Sequence, residues 1–496
     1  LIFRYLHFAY SNYKKTLIPF KRGFFYQMLT FARPEASIFA LQKTNAMKDS
    51  IDFGSMEIPK LFRKLLIPTV LGMVFSAVFV ITDGIFVGRG IGSDALAAVN
   101  ITAPLFLIST GVGLMFGVGA SVVASIHLAQ GKVKAARINV TQAVAVSSLL
   151  LTAYSFLITS CAREVALLLG SSERLLPLAV EYMHWFAPFL PFSALLSSGM
   201  FFIRLDGSPN YAMLCNAVPA VINIVLDYVF IFILGWGMTG AALATSLGYI
   251  VGAGMILGYL GRRRNVVRLC RVKTSRKSMR LTLRNVGYMC RLGLSTFLCE
   301  GAIAMMMFAG NYVFIRYLGE DGVAAFSIAC YFFPIIFMVY NAIGQSAQPI
   351  LSYNFGAGNG ARVRKAFRLA LLTAVAAGLG FFGLTALFSR WIVAMFIDSS
   401  CPACAIAVRG LPLFASGFVF FAVNIVSIGY FQSVERPRPA MAVTVLRGFV
   451  FMAACFFGLP LLLGVEGIWL AVPLAEALTF AVVAAIYGRT RLKSAF

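Results

Sequence analysis

Residues 81–98 read ITDGIFVGRGIGSDALAA, and most of this pattern returns 227 positions later, at 310–325, as GNYVFIRYLGEDGVAA. An ungapped overlay of 89–137 on 316–364 pairs many identical residues. These include Arg89 with Arg316, Gly92 with Gly319, Asp94 with Asp321, Gly117 with Gly344, Gly131 with Gly358 and Arg137 with Arg364. A repeat of this length indicates two copies of one structural unit. The copies differ at one important point, because Asp83 lies in the apolar run of the first copy and Gly310 takes its place in the second.

The composition is that of a membrane protein. Of 496 residues, 60% are hydrophobic and 12% are charged, whereas soluble domains are only about half apolar. Apolar runs that reach the roughly 20 residues needed to cross a bilayer lie near 61–87, 98–126, 138–160, 177–203, 210–234, 238–260, 287–318, 322–350, 366–396, 405–433, 440–462 and 467–488. The sequence therefore predicts an all-α polytopic protein with twelve transmembrane helices, six in each repeat.

The formal charge of +24 is distributed over alternate loops, which argues against a nucleic-acid partner. Basic loops mark the cytoplasmic side, and they hold Lys132, Lys134, Arg137, Arg362, Arg364, Lys365, Arg368, Arg436, Arg438, Arg489, Arg491 and Lys493. The segment Arg262–Arg291 has eleven Lys or Arg and no acid. We interpret it as a cytoplasmic linker that also contacts anionic membrane lipids.

These patterns divide the chain into five parts. They are an N-terminal extension at 1–55, an N-lobe with helices 1–6 at 56–261, a basic linker at 262–286, a C-lobe with helices 7–12 at 287–490, and a cytoplasmic tail at 491–496. Residues 1–46 are basic and aromatic without a clean span, so we predict that Met47 is the functional start and that the preceding residues are non-native or disordered. An amphipathic membrane anchor is the alternative.

Other common sites are not indicated. Cys401 and Cys404 have redox-motif spacing but lie in a predicted external loop, where a simple disulfide is the other interpretation. His7, His127 and His184 lack metal-site spacing, and no phosphate-binding GxxxxGK[ST] loop is present. The expectation is no cofactor and no metal other than sodium, with an ion gradient as the energy source.

Four acids interrupt the predicted spans: Asp83, Asp227, Glu300 and Glu476. Such residues usually serve a function, because a charge in hydrocarbon is costly. Asn223 lies one helical turn before Asp227 on the same face, and Thr245 in the next span adds a hydroxyl. With Asp83, these oxygens suit a sodium ion or a transported proton. The second repeat offers Glu300 but no counterpart of Asn223 and Asp227.

Two further features concern motion and cargo. Pro68 removes a hydrogen bond inside span one and can bend that helix or form a static kink. Methionine and aromatic residues of the second repeat could line an adaptable cavity or face neighbouring helices and lipid. The candidates are Met305, Met306, Phe332, Phe333 and Phe418.

Several motifs together resemble the multidrug and toxic compound extrusion (MATE) transporters, in particular the bacterial drug-exporter branch. They are Pro68 to Asp83 with Gly88 and 92–98, RLDGSP at 204–209, NIVLD at 223–227, GMTGAALAT at 237–245 and QPILSYNFGA at 348–357. The resemblance covers nearly all of 56–490. It implies two six-helix bundles facing each other across a central cavity. It also implies drug:cation antiport with Asp83, Asn223, Asp227 and Thr245 as the N-lobe coupling site, Pro68 as the bending proline and Glu300 as a possible second-lobe acid. Ser76 and Phe79 stand where some relatives carry an amide, so the coupling ion, H⁺ or Na⁺, stays open.

The leading hypothesis is thus efflux of cationic, drug-like amphipathic molecules by a monomer in the bacterial cytoplasmic membrane, with both termini cytoplasmic. A lipid-linked precursor flippase of the same superfamily is the rival. Flippases more often place cations in the cavity to meet pyrophosphate, whereas the predicted spans here hold Asp83, Asp227 and Glu300 and the Arg and Lys residues gather at loops. An intramembrane enzyme is a distant alternative, because no paired nucleophile and base is present.

Overall fold

A computed structural model describes residues 51–272, 275–396 and 402–493, and this part of the chain is helical without strands. The first repeat forms α1 Ile58–Gly90, α2 Ser93–Ala129, α3 Val133–Ser160, the short α4 Ala162–Leu168, α5 Leu176–Phe186, α6 Leu190–Leu205, α7 Pro209–Asp227 and α8 Gly237–Gly261. The second forms α9 Arg276–Gly356, α10 Gly360–Ala394, α11 Pro402–Ala415, α12 Phe418–Ser433, α13 Pro437–Val445 and α14 Phe451–Lys493. The all-α prediction is confirmed. Met47 and Cys401 lie outside the described residues, so the predicted start and the loop disulfide stay predictions.

The helices account for the twelve predicted spans. In the described residues, nine helical segments are long and apolar enough to cross a membrane, and α11 with α12 forms a tenth, bent by 45°. Two of the ten are double spans. α9 has 81 residues, which would be about 120 Å if straight, roughly four times the hydrocarbon thickness. Its helical backbone is interrupted at Gly319, where φ is 65° and ψ is −155°. The other double span is Pro437–Gly488, which joins α13 to α14 and is interrupted at Gly464.

The backbone preserves the internal repeat. Gly131 and Gly358, 227 positions apart, have φ of 74° and 72°, and Gly237 and Gly464, also 227 apart, have φ of 55° and 59°. Left-handed conformations favour glycine, so these loops require the same residue type in both copies. One loop departs from this rule. Glu435 is the non-glycine residue with a positive φ in the described chain, and it lies 228 positions after Gly207, which also has a positive φ.

Helix α1 belongs to both lobes. Its first half contributes Leu61, Phe62 and Leu65 to the hydrophobic core of the second lobe, whereas Gly72 packs against Asn216 of α7. Just before α1, Arg362 of α10 donates to the backbone oxygens of Phe53 and Met56, at 3.1 and 2.6 Å. Pro68 lies between the half of α1 attached to the second lobe and the half attached to the first.

The two lobes meet closely at the end that carries the linker. Gly119 of α2 lies against the backbone of Met289, and Gly293 of α9 lies against the backbone of Met115, so closely that a Cβ atom at either glycine would overlap a carbonyl oxygen. Two residues after Gly119, Ser121 hydrogen-bonds with Gln348 of α9 across the seam at 3.3–3.4 Å. We call the contacts of Gly119 and Gly293 the linker-side seal.

Candidate cation site

The structure brings together the four residues predicted for the N-lobe site. Asp83 lies on α1, Asn223 and Asp227 on α7, and Thr245 on α8. Asp83 lies beside Asp227 and Thr245, and Asn223 Nδ2 donates to Thr245 Oγ1 at 3.4 Å. Asp227 is 0% exposed, Asn223 1% and Thr245 5%. Three helices therefore place two carboxyl groups, an amide and a hydroxyl inside the first lobe.

Local packing explains this convergence. The four-residue spacing of Asn223 and Asp227 puts both side chains on one face of α7. Gly248 of α8 lies against the backbone oxygen of Pro219, so that even a Cβ there would be only 3.3 Å away, and this close approach brings Thr245 to Asn223. Immediately after Asp227 the helix widens into a π-turn, Tyr228–Ile233. Such turns are frequent at functional sites, since they change the direction of side chains.

The site has more acceptors than donors. Both carboxyl oxygens of Asp227, Asp83 Oδ1 and Asn223 Oδ1 are buried and have no hydrogen-bond donor within the described residues. No Lys or Arg of the described ranges interacts with either acid. Two buried carboxylates cannot both stay ionised without a compensating charge. The arrangement therefore suits a proton shared by the acids or a monovalent cation held by oxygens.

Two tyrosines that the sequence analysis did not single out border this site. Tyr182 of α5 faces both acids and lies beside Thr245, and Tyr249 of α8 faces Asp83. Tyr249 follows Thr245 by one turn on the same helix, and this spacing was the signal that could have identified it. Tyr182 carries no such signal, because only the packing of α5 against α8 brings it near.

The other predicted residues lie in the second lobe or on α1. Glu300 is half-buried on the first half of α9, and Pro68 lies within α1, which continues through it. Met306, Phe333 and Phe418 are 0–3% exposed in the core of the second lobe rather than at a cavity wall, and Phe333 stacks on Phe421. Met305 and Phe332 are half-buried. The aromatic pattern thus reflects packing, because these helices bury rings on more than one face.

The expectation that Arg and Lys gather at loops fails for two arginines. Arg204 on α6 is 5% exposed and Arg447, inside the eleventh span, is 1% exposed. Arg204 donates to Gln345 across the lobe boundary at 2.9 Å, and Arg447 donates to Glu476 at 2.6 Å. Each buried guanidinium has a polar partner, which removes much of its cost.

Between the lobes, beside the linker-side seal, lies a small cavity of about 40 Å³. Val118 and Phe201 line it from the first lobe, and amides of the second lobe include Asn341, Gln345 and Gln432. Its volume suffices for a few water molecules. At Gly119 and Gly293 the backbones of α2 and α9 touch and leave no space between them.

Comparison with known proteins agrees with this architecture. The MatE family model matches residues 68–229 and again 298–456, once in each repeat. The FAD transporter of Shewanella oneidensis is 25% identical over 330 residues, which are 66% of this chain and 71% of that protein. The multidrug export protein MepA of Staphylococcus aureus is 22% identical over 435 residues, which are 86% of this chain and 92% of MepA.

Solved structures share the fold. A multidrug resistance MATE family transporter in an outward-facing conformation superposes with a TM-score of 0.80 at 23% identity, covering 88% of this chain and 97% of that one. With two lobes related by an internal repeat and a family model that matches both of them, the chain belongs to the MatE family, a family of multi-pass membrane transporters rather than of enzymes.

Proposed function

We propose that this transporter exports cationic amphipathic small molecules in exchange for H⁺ or Na⁺, and that Asp83 and Asp227 hold the coupling ion. One observation carries the proposal: the two acids are side by side in the first lobe, and their buried oxygens face no basic group in the described chain. Two such acids inside the membrane have their charge compensated only when they bind an exchangeable cation, either H⁺ or Na⁺.

The position of α1 suggests how ion binding drives transport. Asp83 lies on the half of α1 that packs on α7, while the first half of the same helix is part of the second-lobe core. A cation between Asp83 and Asp227 attracts α1 toward α7, and its loss leaves two repelling carboxylates. Because Pro68 separates the two halves, this change can bend α1 and alter the contact between the lobes. The ion then biases the equilibrium between conformations, as alternating access requires.

The substrate class rests on charge and on the relatives. Multidrug export proteins match across most of the chain, and a first lobe with unpaired acids favours cationic cargo. A flavin nucleotide is a second candidate substrate, because the FAD transporter of Shewanella oneidensis is similar over two thirds of the chain. FAD is anionic, so a transport assay separates the two candidates.

We place the protein in a bacterial cytoplasmic membrane as a monomer, with the basic linker and both termini in the cytoplasm. The positive-inside rule supports this orientation. On that side Arg137 Nε donates to the backbone oxygen of Val266 at 2.8 Å, which attaches the linker to α3. The linker-side seal is then a cytoplasmic seal, and the described conformation is closed toward the cytoplasm.

The decisive experiment is transport by purified protein in proteoliposomes, with proton and sodium gradients imposed separately and with a fluorescent cationic dye or FAD as cargo. We expect dye movement against its gradient with one of the two ions. Asp227→Asn keeps the size of the side chain and removes its charge, so it should bind dye but lose gradient-driven transport to the level of empty liposomes.

Asp321→Asn is the matched control, because Asp321 is an exposed acid after the break in α9 and should transport normally. Normal gradient-driven export by Asp227→Asn, at equal protein levels, would move the coupling site elsewhere. FAD uptake without dye transport would replace the cationic substrate class by the flavin class.

A further inference from the structure

A second buried acid, Glu476, lies in the other lobe, and it has a basic partner. Arg447 Nε donates to Glu476 Oε1 at 2.6 Å, and Asn424 Nδ2 donates to Glu476 Oε2 at 2.8 Å. The guanidinium also lies 4.4 Å from the ring centre of Phe421. Arg447 and Glu476 are 1% and 0% exposed, so the pair is sealed inside the second lobe.

The repeat places this pair near the counterpart of the candidate cation site. Glu476 follows Tyr249 by 227 positions, the spacing that also relates Gly237 to Gly464 at the start of the same two spans. Tyr249 faces Asp83. Each lobe therefore buries carboxyl groups around its last helix, but the first lobe leaves them without a basic partner and the second lobe supplies one from its own chain.

A local deformation directs Arg447 inward. The residue lies in a π-turn, Leu446–Val450, and the wider turn shifts the side chains that follow α13 around the helix. The titratable groups that face Glu476 are Arg447, Tyr340 of α9 and Cys299 of α9. Of these only Arg447 carries a permanent positive charge.

The cluster keeps unused polar atoms. Arg447 Nη1, Asn424 Oδ1 and Tyr340 Oη are buried without a hydrogen-bond partner in the described ranges. A purely structural ion pair usually satisfies such atoms. If the guanidinium were absent, the carboxylate, the amide oxygen and the phenol would form a set of hard oxygen ligands of the kind that binds Na⁺.

We propose that Arg447 is a tethered cation, which fills in the second lobe the role that an exchangeable ion has in the first, and so confines ion exchange to the Asp83–Asp227 site. This inference rests on the proposed function only for the first-lobe site. It predicts that Glu476 stays ionised and takes up neither H⁺ nor Na⁺ during transport. It further predicts that removing the guanidinium creates a second site for a monovalent cation.

The test measures ion binding without transport. Purified protein is examined for ²²Na⁺ binding and for the infrared carbonyl band of protonated carboxyl groups. The variants are Arg447→Met, Glu476→Gln, the double variant, and Arg447→Lys as the control that keeps the charge. Arg447→Met should gain a bound Na⁺ or a protonated-carboxyl band, and adding Glu476→Gln should remove it. Arg447→Lys should gain neither.

Repeating the series with Asp227→Asn separates this inference from the proposed function, because the gain in Arg447→Met should persist when the first-lobe site is disabled. If Arg447→Met does not fold but the uncharged double variant does, the unpaired charge of Glu476 is what prevents folding. That result supports Arg447 as the cation that Glu476 requires. The double variant then completes the test, since it should bind as much ion as the unaltered protein. Loss of a bound ion or of a protonated-carboxyl band in the double variant, or no gain in a folded Arg447→Met, would overturn the proposal.

Discussion

Gly293→Ala should open the linker-side seal. The added Cβ would overlap the backbone oxygen of Met115, and a backbone atom cannot rotate away as a side chain can. Overpacking of this kind costs about 1–3 kcal/mol. Because the contact exists only while α2 and α9 touch, the cost falls on the closed conformation alone. The equilibrium should shift about 5- to 150-fold toward conformations in which the two helices are apart.

The second contact of the linker-side seal, between Gly119 and Met289, allows a test by comparing the two single variants with the double variant. Gly119→Ala should have a similar effect, because its Cβ would overlap the backbone of Met289. Once either substitution has separated the helices, the other overlap is relieved as well. The double variant should therefore shift the equilibrium by clearly less than the sum of the two free energies.

The assay is the distance between spin labels at Lys134 of α3 and Arg364 of α10, one exposed residue in each lobe, measured in a background without reactive cysteines. Gly287→Ala is the matched control, since it lies on the same helix and a Cβ there meets nothing within 4 Å. An unchanged distance distribution in Gly293→Ala, or an equal change in Gly287→Ala, would refute the reasoning.

Two further predictions concern the attachments of the second lobe. Arg362→Ala removes the donor to Phe53 and Met56, so amide hydrogen exchange should become faster at the start of α1 and stay unchanged in α7. An unchanged exchange rate at the start of α1 would show that this anchor is dispensable. Gly410→Ala forces a Cβ into the ring of Trp469, so it should destabilise the protein by about 1–3 kcal/mol and lower the thermal transition of the detergent-solubilised protein. Gly380→Ala on α10, where a Cβ meets nothing, should leave that transition in place.

The sequence by itself determined the class of the protein, the number of spans and the internal repeat. Apolar length and the spacing of glycine motifs are local properties, and they persist in the structure as breaks at Gly319 and Gly464. It also indicated Asn223, Asp227, Thr245 and Asp83 as one group. The reason is that an acid in an apolar run is conspicuous whatever surrounds it.

The tertiary structure alone decided which side chains meet. Nothing local distinguishes Phe333 or Met306, which lie in a packed core, from residues that line a cavity, because neighbouring helices determine which face is covered. In the sequence, Arg447 simply follows a short helical run after a basic loop. Only its π-turn and the position of Glu476, 29 residues later, place it in a buried ion pair. The sharing of α1 between the lobes is likewise a result of packing over about 300 residues of sequence separation, which no window along the chain contains.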